Sequence, residues 1–285
     1  MKGVDELILL GTKGGPAVRP GGALPSASLL RLGGETLLID CGLGATRSLV
    51  DAGVNLLDLD AIFVTHLHSD HVLELGPLLY TTWTTGLNRP LKVFGPDGIR
   101  DYWAGFLQAM AYDHAIRVED EGRRPISELI EVVIFGGGTL PASGSVSVKA
   151  LRVEHPPVTE CYALRFETDE RAVVFSADTR YFPPLSEFAK DADVIIHEAM
   201  LAEGAERIIA KMPEATRLRA HLFASHTLAA DVDRIAADAG VAHLVLNHLV
   251  PANDPTVTDA HWRQELRQTW GGLLTVGRDG LRVLL

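Results

Sequence analysis

In the segment AIFVTHLHSDHVLELGPLLY, residues 61–80, His66, His68, Asp70 and His71 fall within six positions directly after an apolar run. Neither a helix nor a strand gains from such crowding, so the residue types point to chemistry. His66 and His68 lie two apart, and in an extended segment they face the same way and can grip one ion. Asp70 and His71 fall where the chain turns towards a helix and can face a second direction. Neutral imidazole with carboxylate is the ligand set that borderline divalent ions prefer, with Zn²⁺ the first choice and Mn²⁺ or Fe²⁺ as alternatives. Four polar residues in an ordinary exposed loop would be the plain alternative, and the tight spacing after a buried strand speaks against it.

The elements that must hold these residues are legible in outline. Strand candidates in the first half are ELILLG (6–11), SLLRL (28–32), TLLID (36–40), AIFVT (61–65) and LKVFGP (91–96). In the second half they are SVSVKALRV (145–153), CYALRFE (161–167), AVVFSA (172–177), DVIIHE (193–198), HLVLN (243–247), LLTVG (273–277) and LRVLL (281–285). Helices are predicted over ATRSLVDAG, from just after His71 to Gly86, over PDGIRDYWAGFLQAM, at about 226–240 and around TDAHWRQELRQTW. The stretch GTKGGPAVRPGG (11–22) lacks the Gly-Lys-Ser/Thr ending of a phosphate cradle, and Pro16 and Pro20 oppose a helix after it. It reads as an irregular loop that could line the rim of a site. Residues 113–128 are polar and read as an exposed insertion or lid. Two strand-rich halves, each with helices, imply two packed sheets with helices outside, in one domain spanning 1–285.

Composition bounds the function. Hydrophobic residues make up 47% of 285 residues, enough for a large core, and the formal net charge is −11. An acidic surface repels phosphate backbones, and the densest basic pair, Arg123-Arg124, reads as a solvated loop. Two cysteines, Cys41 and Cys161, make no disulfide framework and read as small buried fillers. The first residues show no signal-peptide pattern, and no apolar run reaches the roughly 20 residues that span a bilayer. The expectation is a soluble cytoplasmic protein with no membrane association.

The motif THLHSDH resembles the signature of the metallo-β-lactamase superfamily. The likeness to its ribonuclease Z and arylsulfatase-like branch extends over nearly the whole chain, through LLGTKGGP, LLIDCG (37–42), LKVFGPDGI (91–99), EHPP (154–157), SADT (176–179), IIHEAM (195–200) and SHTLAADVDRIAADAGVAHLVLNHLVP (225–251). The resemblance implies an α/β fold, a four-layer αβ/βα sandwich with two divalent metal ions at one edge. It implies that His66, His68 and His155 hold one ion, that Asp70, His71 and His248 hold the other, and that Asp178 bridges them. Asp40 matches a position outside this ligand set and is expected to orient the signature loop, as ligating histidines usually require.

Two such ions would share a hydroxide as nucleophile, with Asp70 counted among the catalytic groups, and would neutralise charge growing on an ester oxygen. For leaving-group protonation the resemblance offers His226, paired with Glu198, a partner that would raise the imidazole pKa. The alternatives are that His226 is the first residue of a helix beside an N-cap Ser225, and that Glu198 is a surface carboxylate. His221 lies close to His226 and could line the pocket, although it reads first as a solvated loop histidine; His114, His243 and His261 read as structural or surface residues. Tyr80, Trp83 and the aromatics of DYWAGF read as core.

The chain departs from tRNA-gripping relatives of this branch, which extend a long basic arm between the third and fourth motifs. Only PPVTECYALRFETDERAVVFSA separates His155 from Asp178, leaving room for a hairpin. Arm and charge together disfavour a nucleic-acid substrate and predict a small phosphodiester or sulfate ester instead. A lactone or thioester hydrolase is the alternative within enzymes, and a nucleic-acid-binding or scaffold protein the alternative outside them. A homodimer is expected only by analogy with relatives.

Overall fold

The computed structural model describes residues 4–141, 144–266 and 269–285. Along the first strand, successive side chains go to opposite faces: Leu7 and Leu9 point one way and Ile8 and Leu10 the other, and all four are buried. A strand buried on both faces belongs to a sheet covered on both sides. The first sheet contains β1 (Glu6–Gly11), β2 (Ala27–Leu32), β3 (Glu35–Ile39), β4 (Ala61–Phe63), β5 (Leu91–Gly95) and β6 (Ile130–Ile134). The second contains β7 (Gly138–Thr139), β8 (Ser147–Arg152), β9 (Tyr162–Glu167), β10 (Ala172–Phe175), β11 (Val194–Met200), β12 (His243–Val250) and β13 (Leu273–Val276). A last strand, β14 (Arg282–Leu284), returns to the first sheet, giving the orders β14-β1-β2-β3-β4-β5-β6 and β13-β12-β11-β10-β9-β8-β7. Each sheet is antiparallel at one end and parallel at the other, the change falling at β3 and at β10.

Three apolar layers hold this together. Between the sheets, Phe63 stacks on Phe94 at 4.6 Å and meets Phe166 of the opposite sheet edge-on at 5.1 Å. Outside the first sheet lie α1 (Ala45–Asp51), α2 (Ser69–Val72), α3 (Leu75–Thr84), α4 (Ile99–Ala109) and α5 (Ala111–Glu121), whose Leu49, Leu79, Trp83 and Trp103 fill the second layer. Outside the second sheet, α6 (Pro184–Phe188), α9 (Ala229–Ala239) and α10 (Asp259–Glu265) contribute Leu185, Ile235 and Trp262 to the third. Between α6 and α9 the chain makes α7 (Ala202–Ala210) and α8 (Leu218–Ser225), which pack through a separate small cluster around Met200, Ala205, Leu222 and Val250. The result is the expected four-layer α/β sandwich. Tyr80, Trp83 and Trp103 are core, as read from their spacing.

Several expectations need correction. The strands β6 and β7 were not anticipated. The helix expected just after His71 is two pieces, because the backbone of Cys41 ties down the turn, donating to His71 O at 2.7 Å and accepting from Glu74 N at 3.0 Å. Asp70 and His71 therefore lie on the short α2, and α3 begins at Leu75. The helix expected at 226–240 starts only at Ala229, leaving His226 extended at φ −124° and ψ 153°. Ser225 is thus the last residue of α8 and no N-cap. The helix expected around 258–270 is seen over Asp259–Glu265, and its continuation at 267–268 lies outside the described residues. Residues 113–128 form no lid. They pack against α3, where Asp113 accepts from the Tyr80 hydroxyl at 2.6 Å and Arg124 O accepts from Trp83 Nε1 at 2.9 Å.

Candidate metal centre

Strands β3, β4, β10 and β12 deliver their chemistry at or near their carboxyl ends, the edge at which open α/β sheets place ligands. Asp40, one residue past β3, takes a left-handed φ of 59°. This turns its carboxylate towards the signature loop, where it accepts from Thr65 N at 2.8 Å and lies 2.8 Å from His71 Nδ1. Thr65 Oγ1 in turn lies 3.1 Å from His66 Nδ1. Each ring is held through Nδ1 and presents Nε2 to the site, so Asp40 has the orienting position expected of it. Ala177 and His248 also have positive φ, at 55° and 42°. Non-glycine residues held there are strained, and such strain concentrates at functional sites.

The structure brings all seven predicted ligands together in two groups. His66, His68, His155 and Asp178 present ligand atoms within 4.8 Å of one another, and so do Asp70, His71, Asp178 and His248. Asp178 belongs to both groups. Its Oδ2 lies 3.1 Å from His248 Nε2, 3.3 Å from His71 Nε2, 3.7 Å from His66 Nε2 and 3.8 Å from His155 Nε2. Whether divalent ions fit can be judged from hydrogen bonding. His66 Nε2, His71 Nε2 and Asp178 Oδ1 are buried with no hydrogen-bond partner, a costly state for polar atoms that cations in this pocket would relieve.

The protonation states also suit ligation. Burial, reinforced by His71, pushes the His66 imidazolium well below its usual pKa, and burial takes His155 down to about 4. Burial acts to raise Asp178, yet the His248 and His71 charges hold its carboxyl well below the ordinary range. Asp70 follows the same pattern, with burial outweighed by His71 and His248. His71 goes the other way: burial opposes its charge, but Asp178, Asp40 and Asp70 raise it, so a bound cation displaces that proton.

Glu198 is 2% exposed on β11, which disposes of the surface reading. Its Oε1 accepts from Thr179 N at 2.6 Å, and its Oε2 lies 2.9 Å from His226 Nδ1. Glu198, His226 and His248 also approach one another closely enough to suggest a third cation group. Glu198 already spends both oxygens on donors, however, and the arrangement is better described as an ion pair. Burial works against the His226 imidazolium, but the Glu198 charge and hydrogen bond overcome it and carry the pKa up to about 9. Burial also raises the Glu198 carboxyl, partly offset by the His226 charge and hydrogen bond, so the pair shares its proton across a 2.9 Å contact.

The other histidines divide. His221, read as a solvated loop residue, lies on α8 at the cavity wall, with its ring 6.4 Å from that of His68 and 6.3 Å from that of His155. His114 accepts from Ile126 N, His261 completes the capping box of α10, and His243 meets Thr275, all structural roles. His197, which the sequence reading passed over, is 1% exposed, and burial lowers it to about 4. Cys161 is buried, with its thiol donating to Asp178 O at 3.2 Å, and burial pushes both cysteine thiols up.

A cavity of 660 Å³ opens over the two groups. One wall is the loop 13–19, which carries Lys13 and Arg19. α7, α8 and the turn between them add Arg207, Ile208, Lys211, Met212, Leu218 and Leu222 to the lining. The basic residues missing as a run in the sequence are thus gathered by the fold from distant positions. Arg123 and Arg124, the pair that stood out in the sequence, are taken up locally by Glu121 and Glu128.

Residues 6–242 match the family model described as anti-Pycsar protein Apyc1. Ribonuclease Z of Mycobacterium marinum is 34% identical over 281 residues, 98% of each chain. Ribonuclease Z of Mycobacterium bovis is 32% identical over 98% of this chain and 97% of its own. Among solved structures, the metallo-β-lactamase fold protein YhfI from Bacillus subtilis superposes with a TM-score of 0.74 at 24% identity, covering 99% of both chains. The short form of human tRNase Z superposes with a TM-score of 0.67 at 20% identity over 98% of both.

These findings correct one expectation. Net charge and the missing arm were read as disfavouring a nucleic-acid substrate, yet relatives matched across 98% of the chain are named as ribonucleases. Net charge is a sum over the surface, whereas a substrate meets the local field, and here Lys13, Arg19 and Lys211 line the cavity beside Asp70 and Asp178. No helix among the described residues is long and apolar enough to cross a membrane.

Proposed function

The chain belongs to the metallo-β-lactamase superfamily, to the ribonuclease Z type within it and to the family described as anti-Pycsar protein Apyc1, and from this membership we propose that this metal-dependent hydrolase is a phosphodiesterase acting on a nucleotide phosphodiester. His66, His68 and His155 would hold one ion, Asp70, His71 and His248 the other, and Asp178 both. We take the ions to be Zn²⁺, which the imidazole-rich, thiolate-free donor set suits. Bound there, such ions supply an activated water near neutral pH and neutralise charge growing on the phosphate.

The observation that carries the phosphodiester reading is the buried Glu198–His226 pair, 2.9 Å apart, with His226 lining the cavity beside His248 and Asp178. An alkoxide leaving from a phosphodiester is a poor leaving group and needs a proton. Glu198 engages His226 Nδ1, which leaves Nε2 as the atom that donates to the departing oxygen. His226 lines the cavity and stacks on His248, with ring centroids 5.4 Å apart and planes 20° apart. The donor is thereby held against one edge of the metal centre. A thioester, whose thiolate leaves readily, would gain little from this pair, so the thioester reading has less support.

The test is hydrolysis by Zn²⁺-loaded protein of a bis-aryl phosphate, the matching aryl sulfate and a short single-stranded RNA, with Asp178→Ala protein as blank. Turnover of the phosphate and the RNA above the blank is expected. Turnover of the sulfate alone would move the protein to a sulfatase class, and turnover of neither the phosphate nor the RNA above the blank would overturn the phosphodiester reading.

A further inference from the structure

Lys13 stands where the chain leaves β1 and passes over the metal centre. The backbone there is fixed on both sides: Lys13 N donates to Leu24 O at 2.9 Å, Gly14 N donates to Leu249 O at 3.2 Å and Leu249 N donates to Thr12 O at 2.8 Å. Lys13 is 9% exposed, and its side chain turns back on its own loop. Its Nζ donates to Gly14 O at 3.1 Å and to Gly15 O at 2.7 Å. Two successive carbonyls thus converge on one ammonium, with Gly15 at φ 87°, a left-handed value that glycine adopts without strain. Burial works against this ammonium, and the Asp70 carboxylate favours it.

The peptide between Gly14 and Gly15 is planar and trans, so its C=O and N–H point in opposite directions. An ammonium that grips Gly14 O therefore also aims Gly15 N–H, and that N–H donates to Asp70 Oδ2 at 2.7 Å. The same oxygen lies 3.2 Å from His248 Nε2 and 3.7 Å from His71 Nε2. A ligating carboxylate is oriented by the hydrogen bonds it accepts. Among the described residues, the loop 12–15 hydrogen-bonds to Asp70 and to no member of the His66–His68–His155 group. We propose, resting on the ligand set given above, that Lys13 is a positioning residue for one of the two metal positions. It staples the carbonyls of Gly14 and Gly15 so that Gly15 N–H orients Asp70, and it thereby raises the affinity of the Asp70–His71–His248 position and not of the other. Charge alone has the opposite effect: a cation beside a metal ion repels it, and removing that cation would tighten the ion.

The test is Zn²⁺ affinity, measured by competition with a chromogenic chelator and so independent of any activity. The native protein should take up two ions. Lys13→Met keeps the apolar stem and loses the donors and the charge. It should hold one ion as the native protein does and the other about ten- to a hundredfold more weakly, as for a lost partner of a ligand. The loss should persist in His68→Ala protein, whose intact group is the Asp70 one, and vanish in His71→Ala protein, whose intact group is the other. Lys13→Gln, which restores N–H donors without the charge, should recover part of it. Unchanged or tighter binding by Lys13→Met overturns the staple, and so does an equal weakening of both ions. Should metal-free Lys13→Met not fold by circular dichroism, Lys13→Ala takes its place with the same expectation. Failure of both to fold overturns the proposal, because the staple would then serve the fold and not the centre. Uptake of no Zn²⁺ by the native protein is a separate failure, which removes the metal reading itself and the proposal with it.

Discussion

Asp178 and Asp233 are buried equally well, at 2% and 0% exposure, and their surroundings are opposite. Asp233 on α9 accepts from Thr269 N at 2.7 Å, Thr269 Oγ1 at 2.6 Å and Trp270 N at 3.2 Å, and so ties the segment before β13 to the second half. Asp178 sits among four imidazoles, with Oδ1 unpartnered and Oδ2 shared among nitrogens at 3.1–3.8 Å. A buried carboxylate stabilises a fold when its lone pairs are filled by the protein. Where they are left open, the fold bears a cost that an incoming group relieves. Burial alone says nothing of function; the unfilled lone pairs do.

The largest effect should come from Asp178→Ala. Removing the one residue common to both groups should lower the rate about a thousandfold or more. It should also abolish the rise in thermal midpoint that Zn²⁺ gives the native protein, since a ligand stabilises only the state that binds it. Scanning fluorimetry with and without Zn²⁺, beside the rate, checks both. An undiminished Zn²⁺ shift in this variant would break the contrast drawn above.

Glu198 lies between these extremes, with its oxygens filled and one of them spent on a group that can titrate. With His226 raised to about 9, the rate should hold through neutral pH and fall as pH rises through that value. The imidazolium's contribution to stability has the same sign: it is present below the unfolded imidazole pKa of about 6.5 and is lost as pH rises through about 9, while on the acid side the Glu198 carboxyl, raised by burial, takes up a proton and ends the pair. Glu198→Gln should move the alkaline limb down towards the ordinary imidazole range and lower the rate at pH 8 by about ten- to a hundredfold. A pH–rate profile separates this from a merely structural loss, which would lower the plateau and leave the limb in place.

How far the sequence disclosed this site depended on chain distance. His66, His68, Asp70 and His71 declared themselves because β4 and the first turn of α2 bring them in without help from elsewhere. His155, Asp178 and His248 needed the family resemblance, since each is an ordinary residue past an apolar run until the sheets align. The loop 11–22, read as an irregular loop at the rim of a site, does line the cavity, but what seats it there is Lys13 bridging to both Pro25 and Leu249, a pairing no local pattern encodes. For His221 the second of two readings holds, the one that placed it at the pocket: α8 packs in its own small cluster with Met200 and Val250, and nothing in LRAHLFAS announces which way its histidine faces. The sandwich itself was legible because apolar runs and alternation carry its strands, whereas β6 and β7 sit at the sheet edges, half exposed, where that signal is weakest.

The smallest effect on activity, and the largest on folding, should come from Asp233→Ala. It strips a buried carboxylate that three donors depend on, two of them backbone N–H groups of Thr269 and Trp270. Leaving those donors unmatched should cost about 2–4 kcal/mol and lower the thermal midpoint by several degrees. The rate per folded molecule, the Zn²⁺-induced shift and the alkaline limb should all match the native protein, because no atom of Asp233 lines the cavity. Asp233→Asn keeps one acceptor oxygen in place and should recover part of the loss, which distinguishes a hydrogen-bonding role from simple packing. Were Asp233→Ala to change the rate or the metal response instead, the second half would be coupled to the centre through α9 and the segment before β13. Filled and unfilled carboxylates would then no longer mark separate tasks in this fold.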